Sequence, residues 1–204
     1  MIRLLRRFGI FVAFFSGNVL QANLWEQPFT DEQKNKLLAG EVVFLEPEPA
    51  YLIATAILIK APESSVWNIM LDQERIPEYL KDCKLSQIKE SGDTWKIVEH
   101  RMKVHPLLPA IQYVFREDYG SDYFIEFQRL SGNIKELKGW WKIVPNDDLG
   151  GVVLMYSVFV DVGWYIPKSW IKNGMQKRVP ALLNAVRGEV YAQYNTTETE
   201  VPGP

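Results

Sequence analysis

The chain has one cysteine, Cys83, and two histidines, His100 and His105, in 204 residues. A single cysteine excludes an intramolecular disulfide framework. With no HxH, HExxH or Cys/His cluster, a metal site is not expected, and no cofactor is expected either. No GxSxG elbow, P-loop or GxGxxG fingerprint occurs, so the motif-borne forms of nucleophilic and nucleotide chemistry are missing. Lys and Arg do not cluster beyond the first residues, and a formal charge of −2 leaves no electrostatic footprint for nucleic acid. Long hydrophobic runs are also scarce. The longest spans thirteen residues, Phe8 to Leu20, against the ~20 that a membrane-spanning helix needs.

That run follows Arg3, Arg6 and Arg7 and precedes Leu20-Gln21-Ala22, a small residue at a cleavage position. Residues 1–22 therefore read as a secretory signal peptide, and the chain as exported, with a periplasmic address if it is bacterial. No cysteine follows the run to carry a lipoprotein anchor; retention as a membrane anchor is the alternative to cleavage. Removing those three arginines from the 23 basic residues leaves 20 against 25 acidic ones, a mildly acidic mature chain.

Apolar and aromatic residues are plentiful. Hydrophobic content is 47%, with seven Trp, nine Tyr and ten Phe, enough for a substantial core in one domain or for the walls of an apolar pocket. Residues 23–39 read as an N-terminal extension with one short helix. Thr30 caps it, Gln33 stands where a capping box needs it, and Gly40 closes it. Glu41 to Leu45 reads as a strand. Ile53 to Ile59 is β-branched and apolar, a second strand, stopped at Ala61-Pro62. Pro62 and Glu63 suit a helix start, and Val66, Trp67, Met70 and Leu71 follow at helical spacing. Asp72 is placed to cap a second helix, which Pro77 keeps short.

From Lys84 onward strand follows strand. In Trp95–Val104 one face carries Val98, His100, Met102 and Val104, and the other Trp95, Ile97, Glu99 and Arg101. His105 to Pro109 interrupts the pairing. Ile111, Tyr113 and Phe115 alternate with Gln112, Val114 and Arg116. Turns at Gly120, Gly132 and Pro145 to Gly151 separate three further strands, ending with Val152–Asp161. Short, turn-rich connections point to an antiparallel meander. Pro167 then opens the longest helix, with Ile171, Met175, Val179, Leu182, Leu183, Val186 and Val190 on one face and Pro180 expected to kink or restart it. Residues 195–204 are polar and read as a disordered tail.

Ala61-Pro62, Val66-Trp67, Leu71-Asp72, Glu74 and Pro77 resemble a signature of the START-like (SRPBCC) superfamily, which includes lipid-transfer domains, coenzyme Q-binding proteins and polyketide cyclases. The stretch GWYIPKSWIKNGMQKRVPALLNAVRGEV resembles the final helix of that superfamily. The resemblance implies an α+β helix-grip fold over residues 40–194: a curved antiparallel sheet wrapped around a long C-terminal helix, with two short helices after the first core strand. It also implies an elongated apolar cavity between sheet and helix, typically about 300–1,000 Å³.

In this chain the helix would line that cavity with Met175, Val179, Leu182, Leu183 and Val186. The sheet would add Tyr113, Phe115, Tyr123, Ile125, Phe127, Trp141, Met155 and Phe159. The alternative is that these residues close-pack and leave no cavity. His100 is a candidate proton shuttle, or else a half-exposed strand histidine. Arg101, Arg116 and Glu117 are candidate headgroup anchors, or else solvated strand faces. Trp164 and Tyr165 are candidates for a portal lip that contacts a membrane or a partner, or else a cover for one end of the barrel. Cys83 reads as a buried, inert thiol. The function implied is that of a monomer binding a lipid, quinone or sterol-like molecule, with transient membrane contact, as a carrier, chaperone or transfer protein in the cell envelope. A cyclase- or hydrolase-type enzyme using the same cavity is the alternative, and a cell-envelope structural or stress protein with an incidental pocket is a third reading.

Overall fold

A computed structural model describes residues 28–46, 52–104, 109–163 and 168–199. Residues 1–22, read from sequence as a signal peptide, and His105, Trp164, Tyr165 and Pro167 lie outside those residues.

Helix α1 (Asp31–Leu38) starts at the capping box: Thr30 Oγ1 accepts from the Gln33 amide at 3.2 Å, and Gln33 Oε1 accepts from the Thr30 amide at 2.9 Å. Gly40, at φ +79°, turns the chain out of the helix through a conformation that favours glycine. Strands β1 (Val43–Leu45) and β2 (Ile53–Ile59) follow, and Pro62 precedes α2 (Glu63–Leu71). A 3₁₀ turn (Gln73–Arg75) and a single turn of helix, α3 (Ile76–Tyr79), complete the pair of short helices. Asp72 stands at their junction but makes no side-chain capping bond, contrary to expectation.

The meander is β3 (Cys83–Ser91), β4 (Trp95–Met102), β5 (Ile111–Gly120), β6 (Phe124–Gly132), β7 (Glu136–Asn146) and β8 (Gly151–Asp161). All pairings are antiparallel, in the order β1-β2-β8-β7-β6-β5-β4-β3. β8 thus returns to pair with β2, joining the N-terminal strands to the meander.

Helix α4 (Lys168–Thr199) packs across one face of this sheet. Val179, Leu183, Val186 and Val190 are buried there among Ile57, Ile59, Leu154 and Val158. A fully buried leucine such as Leu183 contributes about 1.5–3 kcal/mol. Two polar ties fix the helix to the N-terminal segment: Arg187 Nη1 donates to the Gly40 carbonyl at 2.9 Å, and the Lys60 amide donates to Tyr191 Oη at 3.0 Å. α4 runs through Pro180 without restarting, and it continues to Thr199, into the stretch read from sequence as a disordered tail.

The opposite face of the sheet carries a second, smaller core. Leu37 of α1 packs there with Val43, Ala56, Leu58, Trp140, Leu149, Val153 and Met155. Strands β2 and β8 are therefore covered on both sides, which explains why nearly every residue in them is buried.

A candidate ligand cavity between sheet and helix

A cavity of about 120 Å³ lies between the inner face of the sheet and the helices. Its sheet wall comes from alternate residues: His100 and Met102 on β4, Tyr113, Phe115 and Glu117 on β5, Phe127 on β6, Leu137 and Trp141 on β7, and Tyr156 on β8. α4 contributes Leu182 and Val186. The end of α2, the 3₁₀ turn and α3 close the remaining side with Met70, Gln73, Ile76, Tyr79 and Leu80.

The aromatic rings form a connected wall. Trp141 and Tyr156 stack at 3.9 Å, Phe127 lies 6.0 Å from Tyr156, and Phe115 meets Phe127 edge-on at 6.4 Å. His100 continues the series, edge-on to Phe115 at 4.8 Å. Offset and edge-on contacts of this kind hold large side chains in fixed orientations.

Polar groups in the wall are few and buried. Glu117 is 3% exposed; Gln73 Nε2 donates to its Oε1 at 3.1 Å, and Tyr119 Oη donates to its Oε2 at 3.0 Å. Burial pushes the Glu117 carboxyl up to about 7, against the smaller opposing effects of the Tyr119 hydrogen bond and the Lys96 charge. Gln73 Nε2 also donates to the Met70 carbonyl at 2.9 Å. His100 is 8% exposed, and its Nδ1 lies 3.3 Å from Tyr113 Oη. Burial lowers its pKa to about 4, so the ring is neutral at pH 7. Burial likewise raises the Tyr113 and Tyr156 phenols. Two buried atoms of this set, Gln73 Oε1 and His100 Nε2, have no hydrogen-bond partner among the described residues.

Of the thirteen residues expected to line a pocket, six meet at this cavity: Tyr113, Phe115, Phe127, Trp141, Leu182 and Val186. Ile125, Val179 and Leu183 are instead buried in the core around it, and Met175 packs partly buried against that core. Tyr123 sits in the β5–β6 turn at φ +57° and packs edge-on against Trp67 at 5.5 Å. Met155 belongs to the outer core beneath α1. Phe159, two full alternations further along β8, pairs with Lys138 in register and has its ammonium 5.5 Å above the ring.

The expected headgroup anchors divide in the same way. Arg101 is exposed, and Arg116 stacks on Trp95 at 4.6 Å and pairs with Asp118 at 2.7 Å, so neither reaches the cavity. Glu117 does reach it. Sequence carried a signal for this, since Glu117 has the parity of Tyr113 and Phe115. Gln73 and the α3 residues had no such signal. His100 faces the cavity and is buried rather than half-exposed. The volume also corrects the expectation, being well under the ~300 Å³ at the lower end for drug-sized ligands. Cys83 is buried, with its thiol pushed up by burial and donating to the Leu85 carbonyl at 3.2 Å.

A family model described as polyketide cyclase/dehydrase and lipid transport matches residues 59–187, more than half the chain. The chain belongs to that family. Among solved structures, this family member is similar to a START superfamily protein from Mycobacterium smegmatis, at 15% identity and TM-score 0.62 over 70% of this chain and 98% of that one. It is similar to a STAR-related lipid transfer protein fragment from Xanthomonas axonopodis, at 20% identity and TM-score 0.60, covering 74% and 92%. It is equally similar to the Zhui aromatase/cyclase from Streptomyces sp. R1128, at 18% identity and TM-score 0.60, covering 70% and 94%. At these identities the likeness establishes the helix-grip fold. No curated protein matches the sequence.

Proposed function

We propose that this family member holds a hydrophobic small molecule in the cavity between α4 and the sheet, as a carrier or transfer protein. The observation that carries the reading is the connected aromatic and aliphatic wall around a defined space. An apolar cavity of about 150 Å³ accommodates benzene, so about 120 Å³ is slightly smaller than a one-ring site and takes a ring or the head of a longer molecule with small movements of its wall. A full lipid chain needs the helices to move apart. Burial of its surface, at roughly 25 cal/mol per Å², is the driving term. The arginine-led apolar leader supports placing this carrier outside the cytoplasm, in the cell envelope.

A second reading, catalysis on an apolar substrate, draws support from a histidine and a carboxyl sharing one cavity. The carrier reading ranks first because both Glu117 oxygens already accept protein hydrogen bonds and because burial moves the His100 pKa down to about 4, away from neutral pH. Native mass spectrometry after expression without residues 1–22, followed by organic extraction, tests the first reading. A copurifying apolar molecule of defined mass supports it. A protein that carries none and does not take up toluene or a fluorescent lipid overturns it.

A further inference from the structure

We infer that the cavity selects a neutral, hydroxyl-bearing apolar ligand, anchored by His100 Nε2 or Gln73 Oε1. The inference rests on the proposal that the cavity binds a small molecule, and it specifies the chemistry of that molecule.

Gln73 is 4% exposed and His100 8% exposed; both line the cavity, and both keep one polar atom without a partner among the described residues. A buried polar atom left unpaired is costly, so such atoms in a cavity wall mark where a ligand supplies the missing bond. The neighbouring bonds fix the roles of the two atoms. The amide protons of Gln73 are directed at the Met70 carbonyl and at Glu117, which leaves Oε1 as a pure acceptor. Either partner of the 3.3 Å contact between Tyr113 Oη and His100 Nδ1 can donate, and we assign the phenol as the donor because it is the stronger acid in free solution. The tautomer then carries its proton on Nε2, which is a donor. The wall thus offers one donor and one acceptor. A hydroxyl group both donates and accepts, so it can answer either one.

Charge points the same way. Among the described residues no lysine or arginine lines the cavity, and His100 is neutral at pH 7 because burial lowers it to about 4. Glu117, near half-ionised at pH 7, adds negative potential. A carboxylate or phosphate headgroup would meet an acceptor and a partial negative charge, offset only in part by the Lys96 ammonium, which lies outside the wall and donates to the Leu71 carbonyl. A pure hydrocarbon would leave both wall atoms unpaired.

Three para-substituted toluenes separate these chemistries within one ring size: toluene, p-cresol and p-toluate, titrated at pH 7.5 and followed by amide chemical shifts. The expected result is that p-cresol binds at least about fivefold more tightly than toluene, the worth of about one net hydrogen bond, and that p-toluate does not bind. His100→Phe and Gln73→Met should each shrink that preference while toluene binding persists. A readout that needs neither variant is the imidazole ¹⁵N spectrum. The chain has two histidines, so His105→Gln assigns them, and p-cresol but not toluene should shift the His100 Nε2 resonance. Equal affinity for toluene and p-cresol, or a preference for p-toluate, overturns the hydroxyl inference and leaves the cavity reading standing. Failure of all three to bind overturns the cavity reading itself.

Discussion

His100 and Glu117 share one cavity and should oppose one another in the pH dependence of folding. Burial raises the Glu117 carboxyl from 4.5 to about 7, so between those values the folded protein binds a proton that the unfolded chain has released. Its contribution to stability is full below 4.5 and is lost as pH rises through 7. Burial lowers His100 from 6.5 to about 4, so in that interval the unfolded chain binds the extra proton. Its contribution is full above 6.5 and is lost as pH falls through 4. Each slope is about 1.4 kcal/mol per pH unit, of opposite sign, and over pH 4.5–6.5 the two cancel. Glu117→Gln preserves an oxygen to accept from Gln73 or Tyr119 and removes one slope. Its stability should then fall by about 2–3 kcal/mol from pH 6.5 to 4.5 relative to the parent. His100→Phe keeps the edge-on contact with Phe115 and should show the reverse, gaining relative stability over the same acidification. Urea unfolding at three pH values across the window measures both. Curves for the two variants that run parallel to the parent would refute the burial of ionisable groups in this cavity.

Three other outcomes follow from packing. Gly139 lies where β7 crosses Ser157: a Cβ there would meet the Ser157 carbonyl oxygen at 2.0 Å and Phe127 Cζ at 2.6 Å, so Gly139→Ala should lower stability by about 1–3 kcal/mol or more by thermal melting. Met155→Ala should cost about 2–5 kcal/mol yet leave toluene affinity unchanged, because Met155 packs in the outer core, whereas Val186→Ala should alter toluene affinity by enlarging the cavity. Arg178 on α4 donates to Asp82 and to the Val104 carbonyl, tying the helix to the ends of β3 and β4. Arg178→Ala should accelerate ligand exchange, read by stopped flow, with a smaller effect on stability because the pair is partly solvated. Unchanged exchange would remove α4 movement from the entry route.

The strands of the meander were legible because each half-buried strand alternates, and the alternation also grouped His100 with Met102 and Tyr113 with Phe115. The N-terminal helix was legible because a Thr–Gln capping box is a local signal that packing does not have to supply. The same reasoning failed on β8. Helix α4 and the inner core cover Leu154, Tyr156 and Val158, while α1 and the outer core cover Val153 and Met155, so the strand is apolar without a period. Parity within β8 could then be set only by its register, and Met155 and Phe159 were assigned to the wrong face. A strand buried on both sides loses the pattern by which a sequence reveals its facing.

Glu117 shows the opposite case. Its parity placed it with Tyr113 and Phe115, but its charge argued for solvent, because an ionised carboxylate is rarely buried. The two signals are reconciled by the site itself. Gln73 arrives from the 3₁₀ turn and Tyr119 from the next inward position of β5, and together they satisfy both oxygens while burial favours the protonated form. Such a pairing needs residues 44 positions apart to meet, which no local pattern encodes. The motif at Ala61 to Pro77 therefore has a second consequence beyond shaping two short helices. By ending α2 at Leu71 it delivers Gln73 to the cavity, and with it an acceptor that local sequence pattern alone had given no reason to place there.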